Sequence, residues 1–356
     1  MYFSKKIINW YKINCRKLPW RETKNPYYIL VSEFMLQQTK ISIKTIKSYL
    51  NFIKKFPNIK KLSQAEEKDV LKEWEGLGYY KRAINLHFFA KKLRKKNKTI
   101  DFFPKKYKDL IKYKGIGPYT GAAIASICFN EVIPAIDGNA YRVFSRYLGV
   151  DYDLTLSVSI NKLKIFILKM MDYNHPGLFN QAIMDLGSIL CKPKNAKCLL
   201  CPIKSSCFSF KNGTVYEFPV KKNIIKKSKK NRFFYYIFIY DHHKNLCILN
   251  KRFSKDIWKG LYDFPLIESQ KKLTINEIRY NVWKQFKLNF DTVIYKIKHK
   301  LTHQILLIQF LNCEITKKNF YNNKYLEKFL FIPYEKICEY PFPSPIILFL
   351  KHEKMI

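Results

Sequence analysis

A chain of 356 residues with 47% hydrophobic and 16% aromatic content has ample material for a packed interior, so it reads as globular and as two domains rather than one. Its 66 Lys+Arg against 27 Asp+Glu leave a formal net charge of +39, the footprint of a protein that meets a polyanion, although an A/T-biased genome would also enrich Lys, Asn, Ile, Phe and Tyr. No apolar run approaches the roughly 18 residues of a membrane span, and the lysine-interrupted MYFSKKIINWYKINCRKLPW lacks a signal-peptide core. The expectation is a cytoplasmic protein, nucleoid-associated in a bacterium, with reduced thiols.

Apolar residues recur every three or four positions in PYYILVSEFMLQQT, EEKDVLKEWEGL and GAAIASICF, which predicts a mainly helical region over about the first 210 residues. In the first stretch Glu33 stands among Val31, Phe34, Met35 and Leu36. A carboxyl there either faces water, the commoner case, or is buried with a raised pKa and ready to act as an acid near neutral pH. Gln37 follows on the same side one turn later.

YKGIGPYTGAAIASI (113–127) describes a helix–hairpin–helix. Gly115 and Gly117 permit a tight turn whose free N–H groups, at the start of the next helix, suit a phosphate oxygen; an ordinary inter-helix turn would read the same way. In AIDGNAYRVFSRYLG, Asp137 falls where an N-cap falls, and the helix end favours its anionic form, although most such aspartates are purely structural. One ionised and one protonated carboxyl are what cleavage of a glycosidic bond requires, but spacing alone does not bring Glu33 and Asp137 together.

CKPKNAKCLLCPIKSSC (191–207) spaces four cysteines as Cys-x6-Cys-x2-Cys-x5-Cys. Structural zinc usually pairs two short arms, whereas irregularly spaced thiolates can wrap an iron–sulfur cube. On the residues alone an iron–sulfur site is favoured, with zinc and unligated thiols still open. Cys15, Cys128, Cys247, Cys313 and Cys338 have apolar neighbours and are expected as buried core thiols. KKNIIKKSKKNR (221–232) reads as an exposed basic linker. After it FFYYIFIYD and NLCILNKR flank the turn-like HHKN as a hairpin, IKHKLTHQILLIQFL alternates like strand, and TINEIRYNVWKQF suits a helix.

Taken in order, SEFMLQQT, WEGLGYY, GIGPYTGAAI, AIDGN, FNQAIMDLG and the cysteine cluster resemble the adenine DNA glycosylases of the MutY family, in the helix–hairpin–helix superfamily that includes endonuclease III. The likeness is dense over about the first 210 residues and loose beyond them. It implies a mainly α glycosylase domain over residues 1–212 with a [4Fe–4S] loop, a basic linker at 213–230, and a smaller α+β Nudix-like domain at 231–356. The implied substrate is adenine opposite 8-oxoguanine or guanine in double-stranded DNA, acted on by a monomer with no membrane partner.

The resemblance also assigns roles. Glu33 protonates the base and then activates water, Asp137 stabilises the oxocarbenium ion, and Asn139 and Tyr119 orient these carboxyls. Gly115 and Gly117 hold DNA, and Gln37 and Tyr79 act as wedges beside the lesion; from its neighbours alone Tyr79 would be core. Trp20 and Arg21 line the adenine pocket. Cys191, Cys198, Cys201 and Cys207 hold the cluster, with Lys192, Lys194, Lys197 and Lys204 making its loop basic. Thr302 and His303, in a Leu301-Thr302-His303 turn that stands for the family's Phe-Ser-His, read 8-oxoguanine, and IWKGLYDFP matches another family segment.

The chain departs from its relatives in places. Tyr113-Lys114 replaces the usual Leu-Pro before the hairpin, and residues 231–356 carry no glutamate-rich Nudix box, which makes a pyrophosphatase implausible. Tyr119 stands where endonuclease III-like enzymes place an attacking lysine, which favours a monofunctional glycosylase. The alternatives are an endonuclease III-like glycosylase/lyase for oxidised pyrimidines, and a DNA-binding protein without turnover.

Overall fold

The computed structural model describes residues 2–96, 102–150, 152–153, 156–220, 228–241, 245–253, 256–314 and 323–356. Residues 221–227 of the expected linker and 242–244 of the HHKN turn lie outside the described residues. The helices are α1 (Tyr2–Asn14), α2 (Pro26–Leu36), α3 (Ile43–Lys55), α4 (Ile59–Gln64), α5 (Glu67–Glu73), α6 (Lys81–Lys96), α7 (Tyr107–Leu110), α8 (Pro118–Phe129), α9 (Gly138–Leu148), α10 (Ser157–Met170), α11 (Pro176–Ile189), α12 (Phe208–Lys211), α13 (Ile275–Phe286) and α14 (Ser344–His352). None is long and apolar enough to cross a membrane.

Two compact units form: residues 1–64 with 85–224, and residues 65–84 with 225–356. The second grouping was not legible as a contiguous boundary. Its physical basis is a set of hydrogen bonds from the 65–84 segment to the C-terminal region. The Phe342 N–H donates to Glu75 Oε1 (2.9 Å), Lys72 Nζ to the Tyr340 carbonyl (3.2 Å), and the Tyr80 hydroxyl to the Phe342 carbonyl (3.4 Å).

In the first unit α2 is apolar on nearly every side and runs largely buried through the interior. Asn25 caps it by accepting from the Tyr27 N–H, and Pro26 at the first helical position presets the turn. The amphipathic α9 buries Ala140, Val143 and Phe144 against α1, α10 and α11, where Ile7, Leu163, Phe179 and Leu186 complete a core. Each such large apolar side chain contributes about 1.5–3 kcal/mol by leaving water.

The second unit is built on a sheet of β1 (Lys230–Asp241), β2 (Leu246–Lys251), β3 (Tyr262–Asp263), β4 (Leu266–Ser269), β5 (Val293–Lys300), β6 (Gln304–Glu314) and β7 (Leu330–Pro333). The order is β3-β2-β1-β6-β5, with β4 also paired to β1 and β7 to β2; β1 and β6 are parallel, with Phe233 opposite Leu307. Both faces are covered. Phe234, Tyr236 and Phe238 point to one side with Phe264, Phe310 and Phe349, while Tyr235, Ile237 and Ile239 point to the other against Ile278, Val282 and Phe286 of α13. Burial on both faces explains the unbroken apolar run of β1. A capping box between Thr274 and Glu277 starts α13 where the sequence predicts a helix.

All nine cysteines are free thiols. Of the five expected in the core, only Cys247 and Cys313 are fully buried; Cys128 is intermediate, and Cys15 and Cys338 are exposed. Cys15 follows the end of α1, where the chain has left the core, and Cys338 sits in a short surface 3-10 turn, so apolar neighbours in sequence did not mean burial.

Candidate active site

Asp137 terminates the loop before α9 and caps it, with Oδ1 accepting from the Ala140 N–H at 2.7 Å. Its other oxygen, Oδ2, accepts from Asn139 Nδ2 at 2.7 Å. Gly187 of α11 lets Asn139 sit close, since a Cβ there would lie 2.7 Å from Asn139 Cβ. Asp137 is thereby fixed in rotamer by its own helix and by its neighbour.

Glu33, on the apolar α2, is 9% exposed. Burial pushes its carboxyl up to about 7; a hydrogen bond from Tyr119 works against this, the charge of Asp137 adds to it, and Arg21 opposes it. The buried reading of Glu33 is therefore the one the structure bears, because α2 is apolar on nearly every side and meets solvent only along the cleft. The mutual influence of Glu33 and Asp137 places the two carboxyls in one electrostatic environment. Burial, followed by the charges of Glu33 and Asp137, holds the Tyr119 phenol well above its usual range, so it remains a hydrogen-bond donor.

These groups line one open cleft of about 980 Å³ in the first unit, together with Trp20, Arg21 and Gln37. Trp20 packs edge-on to Tyr49 with ring centroids 5.1 Å apart. Arg21 and Arg16 both pair with the fully buried Asp185, through Arg21 Nη2 and Arg16 Nε at 2.8 Å and shorter contacts from Arg21 Nη1 and Arg16 Nη2. Burial opposes the Asp185 charge, but these two guanidinium groups hold its carboxyl below the usual range.

The hairpin lies at the far end of α2. Gly115 has φ +92°, and a Cβ there would sit 2.8 Å from Asn85 Cβ, so only glycine fits. Gln37 Nε2 donates to the Gly115 carbonyl (3.2 Å) and to Thr120 Oγ1 (3.3 Å), which ties it to the turn. Gly117 caps α8, and a Cβ there would meet nothing within 4 Å, so the N-terminus of α8 is open on that side.

Cys191, Cys198, Cys201 and Cys207 line a common small cavity with Arg146. Burial pushes the Cys201 thiol up to about 12, and Cys191, Cys207 and Cys198 each add to that, so the four sulfurs lie within range of one another. Among the described residues no three His, Cys, Asp or Glu side chains converge to hold a single metal ion. A zinc ion needs four sulfurs at about 2.3 Å from one point, whereas an iron–sulfur cube carries a separate iron to each thiolate. Four thiols around one small cavity are a soft donor set of the kind that iron–sulfur clusters take.

Arg142 lines the same cleft and is a residue that sequence reasoning missed. It donates from Nε to the Cys191 carbonyl (2.7 Å), and from Nη2 to the Gly187 carbonyl (2.7 Å) and to Asn139 Oδ1 (2.9 Å). The cysteine segment is thus joined through Arg142 and Asn139 to Asp137. The available signal was its place three residues after Asn139 on one helix face. Asp185 and Gln181 were missed as well; Gln181 lines the cleft and accepts from the Tyr11 hydroxyl at 3.0 Å. Lys192 and Lys194 of the cysteine segment line the same cleft.

The second unit holds the other expected residues. Tyr79 has φ +48° and is 50% exposed, not core, and its hydroxyl lies 3.1 Å from Thr302 Oγ1. Thr302 and His303 are exposed in the turn joining β5 to β6.

A family model described as HhH-GPD superfamily base excision DNA repair protein matches residues 31–164, and a NUDIX domain model matches residues 235–352. An adenine DNA glycosylase of Buchnera aphidicola subsp. Schizaphis graminum is 38% identical over 329 residues, covering 90% of each chain. One from Arabidopsis thaliana is 32% identical over 73% of this chain and 46% of its own length. The solved structure of a thermostable thymine-DNA glycosylase is similar to 59% of this chain and 95% of its own, with TM-score 0.54 and 26% identity. The hairpin, the paired carboxyls and a likeness that runs through both units agree: the chain belongs to the adenine DNA glycosylases, within the helix–hairpin–helix base-excision repair superfamily.

Proposed function

We propose that this adenine DNA glycosylase hydrolyses the N-glycosidic bond of adenine paired with 8-oxoguanine or guanine in duplex DNA, as a monofunctional enzyme acting on a flipped-out base. The observation that carries the reading is Glu33, buried in the cleft with its carboxyl pushed up to about 7 beside Asp137. The anomeric carbon of a stacked nucleotide is out of reach, so the adenine must leave the duplex to enter the cleft.

Protonated Glu33 then gives its proton to an adenine ring nitrogen as the glycosidic bond breaks and its electron pair leaves with the base. Asp137, fixed by Asn139 and the α9 N-terminus, faces the positive charge that develops on the sugar. Water adds to the anomeric carbon, and the Glu33 carboxylate takes the released proton, which returns the site to its starting state. Tyr119 stands beside Glu33 with its phenol kept protonated, and being a phenol rather than an amine it forms no Schiff base with the sugar. Trp20 and Arg21 bound the base-binding end of the cleft.

Cys191, Cys198, Cys201 and Cys207 would hold a [4Fe–4S] cluster, which when bound cross-links residues 191–207 and moves no electrons in a hydrolysis. The segment it fixes carries Lys192 and Lys194 to the cleft, where they can meet phosphates. The open N-terminus of α8 at Gly117 supplies a second phosphate contact. In the second unit Tyr79 acts as the wedge, and Thr302 and His303 meet the base opposite the adenine.

Duplexes carrying adenine opposite 8-oxoguanine, adenine opposite guanine, or a thymine glycol test the proposal. Adenine release from the first two is expected; release from the thymine glycol duplex alone would sink it in favour of an endonuclease III-like activity.

A further inference from the structure

Three consecutive carbonyls converge on one side chain in the segment WEGLGYYKR. Arg82 Nη2 donates to the Leu77 carbonyl (3.1 Å) and the Gly78 carbonyl (2.8 Å), and Nε donates to the Tyr79 carbonyl (3.3 Å). The Arg82 backbone N–H donates to the same Tyr79 oxygen at 2.9 Å. The guanidinium also lies 5.6 Å from the Tyr79 ring centroid and 5.5 Å from that of Trp74. Arg82 itself is buried.

The turn it holds is one the backbone resists. Gly78 and Tyr79 lie in succession in the left-handed region, at φ +69° and +48°, and a bulky aromatic residue is rarely found there. The Cβ of Tyr79 disfavours this conformation, and in it the ring is 50% exposed. A lysine at position 82 carries the same charge but one point donor group, and it cannot span three carbonyls as a planar fork does.

We infer that Arg82 is a positioning residue for base flipping, whose guanidinium locks the Leu77–Tyr79 turn so that the Tyr79 ring stands ready to fill the space the adenine leaves. The inference rests on the reading of Tyr79 as the wedge. A ring held in place before DNA arrives loses no conformational freedom when it inserts, whereas a loose turn must be ordered at each encounter. Arg82 therefore acts on the flipping step and only through Tyr79, with no part in bond cleavage.

The test is a double-mutant cycle with Tyr79→Ala and Arg82→Gln, with Arg82→Lys as a third variant and circular dichroism melting as the check that each is folded. All are made in the Glu33→Gln background, with a duplex bearing 2-aminopurine at the target opposite 8-oxoguanine, whose fluorescence rises on unstacking. Arg82→Gln is expected to lower the flipping signal roughly tenfold where Tyr79 is present and to change nothing further in Tyr79→Ala, with Arg82→Lys only partly restoring it. A merely structural arginine would lower the signal in both backgrounds. Additive effects, or normal flipping in Arg82→Gln while Tyr79→Ala is impaired, overturn the inference and leave the wedge standing. Normal flipping in Tyr79→Ala removes the wedge reading itself, and the role of Arg82 with it.

Discussion

The hydroxyl of Tyr79 lies 3.1 Å from Oγ1 of Thr302, joining residues 223 positions apart in sequence. One belongs to the turn before α6 and the other to the turn between β5 and β6, and both are in the second unit. In the proposed function the first fills the space of the flipped adenine and the second meets the opposite base. On that reading the bond between them would couple the two recognition events.

Tyr79→Phe keeps the ring and removes that bond. Because the pair is exposed, the loss to stability should stay within about 0.5 kcal/mol. Single-turnover release of adenine opposite guanine should change little, while the preference for 8-oxoguanine over guanine falls severalfold. Equal preference in the variant and the parent would show that the hydroxyl link carries no discrimination.

Glu33→Gln should abolish base release while leaving DNA binding largely intact, and it should also make the protein more stable. The unfolded carboxyl titrates near 4.5 and the buried one near 7, so between these values the unfolded chain gives up a proton that the folded chain keeps. Stability from this group therefore falls as pH rises through that window, by about 3 kcal/mol once the pH exceeds it. Urea titrations should find Glu33→Gln ahead of the parent at pH 8 and level with it at pH 4. In the parent, single-turnover release should decline above about pH 7 as the proton donor is lost.

Arg142→Gln should lower base release by about 10- to 100-fold with the affinity for an uncleaved duplex little changed. The guanidinium orients Asn139, which in turn orients Asp137, and glutamine cannot reach the Cys191 and Gly187 carbonyls together with Asn139. Gly187→Ala reaches the same point from the other side by pressing on Asn139. Both variants should slow chemistry more than they weaken binding.

Asp185→Asn should cost about 3–5 kcal/mol, because it leaves Arg21 buried without its partner. Asp185 carries a depressed pKa, so its contribution is fully present above the ordinary aspartate value of 3.8 and is lost as pH falls through the lower folded value. The gap between parent and variant in thermal melts should therefore be widest near neutrality and close in strong acid.

Sequence pattern reached the residues whose chemistry is local. Asp137 is an N-cap because of the residues beside it, the Gly115 turn needs its own glycine, and four cysteines within 17 residues share one cavity because they are close in the chain. Glu33 was harder, since the usual fate of a glutamate is solvation, and only the absence of any polar face on α2 argues otherwise. Asp185, Arg142 and the 65–84 segment were illegible for one reason. Their partners lie far away in the chain, as with Asp185 and Arg16 at a separation of 169 or Glu75 and Phe342 at 267, and no window of sequence contains both.

Cys201→Ser tests the remaining link. Anaerobically purified parent protein should be brown with broad visible absorbance from thiolate-to-iron charge transfer, and the variant should lose most of it. Cys201 is one of four thiols around the cavity, and the segment they close supplies the Cys191 carbonyl to Arg142 and Lys192 and Lys194 to the cleft. Without the cross-link the lysines lose their fixed positions, so affinity for duplex DNA should fall about tenfold and its dependence on salt should flatten by one to two counterions. The Glu33 carboxyl sits on α2 and is influenced by none of these four cysteines, so on saturating DNA the pH at which release declines should stay where it is in the parent. A colourless parent, or a coloured variant with unchanged affinity, would detach the cysteine segment from the grip on DNA.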